Sequence, residues 1–233
     1  MKDKILQEVE YTGLNGERAL LTERIIVETP LAMRVNGRNL ATAMITAAME
    51  KEFVTGFLFG RGIIGSADDI KSLEIRDNTA EVKVRVDAVK PEKKAPADSN
   101  LTVRKEDVFD CVRAILKSEI FEETEAVHSA GLFRNGSEVA CIAEDLGRHN
   151  ALDKVIGYAL LNGIDFNDVL AASTGRQPSE MILKCMNAGI PIIATKGVPT
   201  TRAIELATEA RITIAGLVRG ETMTVYSTPA RIL

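Results

Sequence analysis

Residues 169–215 read VLAASTGRQPSEMILKCMNAGIPIIATKGVPTTRAIELATEARITIA, and the way short apolar runs alternate there with helical spacing sets the expected architecture. Val169-Leu170-Ala171-Ala172 has the length and composition of a buried strand, and Ser173-Thr174-Gly175-Arg176 is the turn at its carboxyl end. Pro178 stands at the favoured first position of a helix that Gly189 ends. The unit then recurs: a strand over residues 190–195, a turn at Lys196-Gly197-Val198-Pro199, a helix over residues 201–210 and a strand at Ile212-Thr213-Ile214-Ala215. Strand, helix, strand in this rhythm implies parallel strands with crossover helices, and such sheets bind ligands beyond the carboxyl ends of their strands. Thr174, Gly175, Arg176, Lys196, Gly197 and Arg219 all fall at those ends.

Immediately upstream, residues 144–154 read EDLGRHNALDK. Asn150 suits an N-cap and Asp153 the first free amides, while Leu152, Val155, Ile156, Ala159 and Leu160 recur at helical spacing. Arg148 and His149 therefore arrive just before a helix start, where free amides, the positive end of the macrodipole and a guanidinium favour a phosphate or pyrophosphate. The plain alternative is a capped helix in which Glu144, Asp145 and Arg148 pair with one another. The cations recurring at successive strand ends favour the anion site, with Arg148, Arg176 and Arg219 expected around one common cavity.

Elsewhere the chain is β-rich at its start. Ile25-Ile26-Val27 and Leu31-Ala32-Met33-Arg34-Val35 are short strands, Asn36-Gly37 is a type I′ hairpin signal, and residues 47–59 form a helix stopped by Gly60 and Gly62. Val82, Val84 and Val86 alternate with Lys83 and Arg85 as in a half-solvated strand, and residues 87–100, with Pro91 and Pro96, form a loop. The 233 residues, 45% hydrophobic and without Trp, suffice for one large or two small domains. Lys plus Arg number 29 against 33 Asp plus Glu, so no global nucleic-acid footprint is expected. The start Met1-Lys2-Asp3-Lys4-Ile5 lacks a signal h-region and no apolar run reaches membrane-spanning length, so a soluble protein without membrane attachment is expected. Three unpatterned cysteines suit the reducing cytoplasm and form no zinc or redox motif, and no metal site is expected. Cys111 shares an apolar helical face with Val108, Val112, Ile115 and Leu116, and Cys185 lies mid-helix beside Met181, Ile182 and Met186. Cys141 sits in a strand three residues before Glu144; core packing is its plain role, and it is the best candidate of the three for a reactive thiol. His128 is either a satisfied, half-buried ring or a donor to a phosphate and a carrier of protons.

The run EDLGRHNALDK resembles the EDVGRHNAxDK signature of the FdhD family of formate dehydrogenase accessory, or sulfur carrier, proteins. His128-Ser129-Ala130, Ser173-Thr174-Gly175-Arg176 with Ser179-Glu180-Met181, Pro199-Thr200 with Ala203 and Ala207, and Gly216-Leu217-Val218-Arg219-Gly220 are similar to further family elements in the same order. Gly56-Phe57-Leu58 and Gly62-Ile63-Ile64 match G-F-L-x-x-E-G-I-I, with Arg61 in place of the acid. One departure is large: the C-x-x-C that carries persulfide sulfur in the family has no counterpart in residues 90–100. The resemblance implies an α/β fold, with a smaller β-rich α+β region over residues 1–100 and a three-layer cytidine-deaminase-like α/β domain over residues 101–233. The deaminase activity does not follow, because the zinc signature is missing. The resemblance further implies a homodimer that takes sulfur from a cysteine desulfurase and passes it to molybdopterin guanine dinucleotide, in its molybdenum-bearing bis form, before that cofactor enters formate dehydrogenase. The segment it marks for the cofactor is Leu217, Val218, Arg219, Gly220, Glu221 and Thr222. To these the local reading adds His128, Glu144, Asp145, Gly147, Arg148, His149, Ser173, Thr174, Arg176 and Lys196. With the carrier thiol missing, three readings stand: a sulfur carrier using Cys141 or a thiol on another protein, a cofactor-binding chaperone that transfers nothing, and a regulatory guanine-nucleotide binder.

Overall fold

Three parallel strands form the centre of the molecule in the computed structural model, which describes residues 4–15, 17–85 and 99–233. They are β9 (Val169–Ser173), β10 (Ile192–Thr195) and β11 (Thr213–Arg219), joined by α5 (Ser179–Ala188) and α6 (Thr201–Glu209). The hairpin β7 (His128–Arg134) and β8 (Glu138–Asp145) extends one side antiparallel to β9, and β12 (Thr222–Ser227) closes the other. The six-stranded order is β12-β11-β10-β9-β7-β8. All of β9 is buried, as befits a strand covered on both faces. Its period-2 alternation sorts Val169 and Ala171 into the core beneath α4 (Arg148–Leu161), α5 and α6, and Leu170 and Ala172 into the core beneath α2 (Lys105–Leu116). Helices thus cover both faces.

The N-terminal strands β3 (Thr29–Val35), β4 (Arg38–Ile45), β5 (Ile70–Arg76) and β6 (Thr79–Val84) form a second sheet in the order β4-β3-β6-β5. Asn36 and Gly37 take φ of 48° and 78°, as a type I′ turn requires. A long ribbon, β1 (Leu6–Asn15) and β2 (Glu17–Ile26), precedes them. Helix α1 (Glu50–Gly60) links this region to the main sheet by lying directly on α4. Two glycines permit the approach: a Cβ on Gly56 would come within 1.9 Å of the Asp153 carbonyl oxygen, and one on Gly157 within 1.9 Å of that of Glu52. One apolar core therefore runs from Leu31, Met33 and Ile45 through Phe53 and Leu58 to Leu152 and Ile156, across the boundary expected near residue 100. Among the described residues no helix is long and apolar enough to cross a membrane.

The structure departs from the sequence reading at several ends. Helix α4 begins at Arg148 with Gly147 as its cap, three residues before the expected N-cap Asn150. Pro178 caps α5 rather than opening it, while Gly189, at φ 83°, ends it as expected. Strands β1 and β5 were not anticipated, because their alternation is carried by charged and small polar residues as much as by apolar ones. Val86 and most of the expected loop over residues 87–100 lie outside the described residues.

Candidate functional site

The run from Glu144 to Lys154 is first of all a knot of internal bonds. Asp145 and Lys154 are both fully buried and pair at 2.7 Å. One carboxylate oxygen of Asp145 also accepts from the Thr46 amide at 3.1 Å. The other accepts from the Gly147 amide at 3.1 Å and from Asn150 Nδ2 at 2.8 Å. Lys154 Nζ donates further to the carbonyls of Thr46 at 3.0 Å and Glu144 at 2.9 Å. Burial pushes the Lys154 amine down, and Asp145 opposes that. The Glu144 carboxylate accepts from the amides of Phe121 at 2.7 Å and Ile120 at 3.3 Å, in the first turn of the short helix α3 (Glu119–Thr124). Asp153 faces no free amide; it is buried between α1 and α4 and pairs with Lys184. These observations correct the sequence reading. Glu144 and Asp145 do not pair with Arg148; the oxygens of Glu144 accept from the α3 amides and those of Asp145 from Thr46, Gly147, Asn150 and Lys154. The polar side chains left at the head of α4 are Arg148 and His149.

Two glycines, Gly175 and Gly197, stack the neighbouring strand ends into a terrace. The Gly175 carbonyl accepts from Thr195 Oγ1 at 2.6 Å, and the Gly197 carbonyl accepts from the Leu217 amide at 2.8 Å. A Cβ on Gly197 would sit 2.9 Å from the Gly175 oxygen, and one on Gly175 would sit 2.7 Å from Arg148 Cδ. The Arg148 side chain thus lies over Gly175, with its Nε buried and without a hydrogen-bond partner. Ser173 is buried, and its hydroxyl accepts from the Gly175 amide at 3.3 Å. Thr174 Oγ1 accepts from the Ser129 amide at 3.1 Å and lies 3.3 Å from His128 Nδ1. Burial lowers the His128 pKa, Arg148 lowers it further and Asp145 works against them. For His149 burial again leads, followed by Lys184 and Arg148, with Glu180 opposing. Both rings are therefore neutral at neutral pH, each able to donate at one nitrogen and accept at the other.

A second feature lies on the α2 side of the same sheet edge. Phe109, Val112, Arg113 and Leu116 of α2 face Lys196, Val218, Arg219, Gly220 and Glu221 across a groove of about 590 Å³. A register shift between Gly216 and Arg219 puts Leu217 at φ 52° and bulges β11 at this point, a device that re-aims side chains at a strand end. A smaller recess lined by Lys105, Asp110 and again Phe109, Arg113 and Glu221 continues along α2. The sequence-derived residues thus divide. Lys196, Val218, Arg219, Gly220 and Glu221 line the groove; His128, Ser173, Thr174, Arg148 and His149 gather at the head of α4; Arg176 is exposed on its turn and Thr222 beyond the groove bonds back to the Arg219 carbonyl at 3.0 Å. The groove takes in Arg219 but neither Arg148 nor Arg176, which lie at the head of α4 and on the turn after β9. Sequence reasoning missed the α2 wall. Phe109, Val112 and Leu116, at spacings of three and four beside Arg113, were the available signal, hidden because Phe109 and Val112 belong to the core beneath α2 as well and read as core residues alone.

None of the three cysteines is placed for thiolate chemistry. Cys111, Cys141 and Cys185 are buried, and burial pushes each thiol up to about 12. Cys141 packs in the core with Leu132 and Ala143, its accessible surface down to 8%.

Comparison with known proteins adds a separate finding. The model of the FdhD/NarQ family matches residues 26–99 and 86–233. The Sulfur carrier protein FdhD of Methanothermobacter thermautotrophicus is 32% identical over 98% of this chain and 99% of its own length. The protein of that name from Bacillus subtilis is 32% identical over 93% of each chain. The crystal structure of a proposed formate dehydrogenase accessory protein from Desulfotalea psychrophila superposes with a TM-score of 0.87 at 30% identity, covering 98% of this chain and all of that one.

Proposed function

The chain belongs to the FdhD/NarQ family, and from that membership and the build of its sheet edge we propose that it is a formate dehydrogenase accessory protein that binds molybdopterin guanine dinucleotide and supports its sulfuration. The observation that carries this reading is the 590 Å³ groove formed by Lys196, Arg219 and Glu221 against α2. Its charges and walls suit a nucleotide. Arg219, Lys196 and Arg113 would hold phosphate oxygens, Phe109 and Leu116 offer apolar surface to a base, and the Glu221 carboxylate can accept from the N–H edge of guanine. At the head of α4, Arg148 supplies a buried donor without a partner, and the neutral rings of His128 and His149 can take or return a proton. The cytidine-deaminase-like layering belongs to the same proposal, supported by a six-stranded sheet with helices on both faces. So do a cytoplasmic homodimer, a cysteine desulfurase as sulfur source and formate dehydrogenase as client.

The chain itself does not hold the sulfur in this reading. Persulfide formation needs an accessible thiolate, and all of its thiols are buried and protonated at neutral pH. Sulfur therefore arrives on another thiol, and the role of this chain is to hold and orient the cofactor. The same observation favours a second reading, a chaperone for the pterin cofactor or a guanine nucleotide that takes no part in transfer.

Calorimetry with GDP tests the groove. Arg219→Ala and Lys196→Ala should each weaken binding about tenfold or more, the usual weight of a charge-assisted hydrogen bond. Affinity unchanged in both variants would remove the groove from the reading. Incubation with a cysteine desulfurase and labelled cysteine, followed by intact-mass measurement, tests the sulfur route. No label is expected, and a persulfide on Cys141 would show that the chain carries sulfur after all.

A further inference from the structure

A second cleft, of about 380 Å³, opens between α1, α4 and α5. Phe57 and Leu183 give it apolar walls, Arg61, Lys184, His149, Asn150 and Glu180 line its polar sides, and Asp153, paired with Lys184, lies at its floor. The Arg61 guanidinium is held 4.3 Å above the Phe57 ring. It forms no ion pair or side-chain hydrogen bond among the described residues, so its donors are free. Lys184 reaches over the floor of the cleft to the buried carboxylate of Asp153, and Gly60 leaves the space there open, a Cβ on it lying 3.4 Å from Lys184 Cγ and 3.5 Å from Asp153 Oδ1. Lys184 and Arg61, next in the chain to Gly60, therefore mark one cationic end. Glu180 stands four residues back from Lys184 along the same face of α5, about 6 Å along the axis, its side chain 75% exposed and 3.8 Å from His149 Nε2.

The distribution of charge selects a ligand class. A simple anion would meet the Glu180 carboxylate at one end, and a simple cation would meet Arg61 and Lys184 at the other. A small zwitterion satisfies both, with its carboxylate toward Arg61 and Lys184, its ammonium toward Glu180 and a short side chain along Phe57 and Leu183. We propose that this cleft binds a free α-amino acid, cysteine being the one that fits the work of the chain.

The choice of cysteine rests on the proposed function, in which the protein supports sulfuration while exposing no thiol of its own. A bound cysteine would supply that thiol within the cleft that His149 also lines, and His149 is itself within electrostatic reach of Arg148 and His128. The step balances. The cysteine thiol gives its proton to the neutral imidazole, and the thiolate attacks the terminal sulfur of a persulfide carried by a donor protein. A new S–S bond forms, the donor S–S bond breaks, and the donor leaves as thiolate with the electron pair.

The test uses the whole protein with a non-thiol reductant and calorimetric titration of L-cysteine, L-serine, L-leucine and sodium sulfate, with GDP titrated into the same samples. L-cysteine should bind, and Arg61→Ala and Glu180→Gln should each weaken it by about tenfold or more. GDP affinity should stay unchanged in both, since neither residue touches the α2 groove. No binding of any amino acid, or cysteine affinity indifferent to both substitutions, would overturn the proposal. So would sulfate binding that rivals cysteine and strengthens in Glu180→Gln, which would mark a plain anion site. Loss of GDP binding by the parent with cysteine binding retained would strike the proposed function and leave the amino-acid site standing; serine or leucine binding as tightly as cysteine would keep the site and remove the thiol role.

Discussion

Replacing Lys154 by methionine tests whether the Glu144 to Lys154 run is a structural knot before it is a ligand site. The substitution keeps an unbranched apolar stem and removes an ammonium that is fully buried. It takes a donor from Asp145 at 2.7 Å, from the Thr46 carbonyl at 3.0 Å and from the Glu144 carbonyl at 2.9 Å. Breaking a buried ion pair by deleting one partner costs about 3–5 kcal/mol. Two features pull the figure toward the lower part of that range. Asp145 keeps the Thr46 and Gly147 amides and Asn150 Nδ2 as donors, and the depressed amine pKa of Lys154 shows that its burial is itself a cost that the substitution relieves. We expect a loss of about 3–4 kcal/mol, which for a protein of this size lowers Tm by about 6–16 °C. Urea unfolding of parent and variant, read for midpoint and slope, measures it. The double variant Asp145→Asn/Lys154→Met should be less destabilised than the sum of its singles, because the second change removes the charge that the first left stranded. A Lys154→Met protein within about 1 kcal/mol of the parent, at unchanged slope, would refute the reasoning, since a loss that small is ordinary for any substitution.

Gly157→Ala places a methyl 1.9 Å from the Glu52 carbonyl oxygen and should force α1 off α4, for a loss of about 1–3 kcal/mol despite the better helix propensity of alanine; a stabilised variant would show that the two backbones do not touch. Burial pushes Asp153 from 3.8 up to about 6, against the pull of Lys184. Between those values the unfolded carboxyl is ionised while the folded one still holds its proton, so this group's contribution to stability falls as pH rises through the window. The two histidines, lowered from 6.5, act with the opposite sign, their contribution being lost as pH falls below that value. Asp153→Asn should therefore lose the parent's fall in stability across that window and keep the histidine part, and a profile parallel to the parent's would place the Asp153 carboxyl outside the buried site.

What the sequence disclosed was set by how local each signal was. The parallel strands were legible because β9 and β10 are buried on both faces and ended by Gly175 and Gly197, so composition and punctuation coincided. The Asn36-Gly37 hairpin was legible because its two positive φ angles are a property of the turn alone. The start of α4 was misplaced for the converse reason. Asn150 has the chemistry of a cap, but its amide is drawn to Asp145 at 2.8 Å and to the Met44 carbonyl at 2.9 Å, partners that only the tertiary fold brings there. The same holds for Asp153, whose partner Lys184 is on another helix, and for the α2 wall of the groove, whose residues meet Arg219 only once the sheet has formed.

That dependence on distant partners bears on how the site is held. Asp145 collects donors from β8's own turn, from α4 and from Thr46 at the end of the N-terminal sheet's β4, and Lys154 returns a bond to the Thr46 carbonyl. Gly56 and Gly157 fix α1 against the same helix a few residues on. The direction in which Arg148 leaves α4, and therefore its place over Gly175, is set by residues of the first third of the chain as much as by the sheet whose edge it serves. An N-terminal region that merely accompanied the six-stranded sheet would not need buried bonds of this kind at its junction. Its strands are better understood as the outer half of the mount that holds Arg148 and His149, which explains why one continuous core spans both and why the signature spends most of its polar atoms inward, leaving a guanidinium and an imidazole for the proposed cofactor.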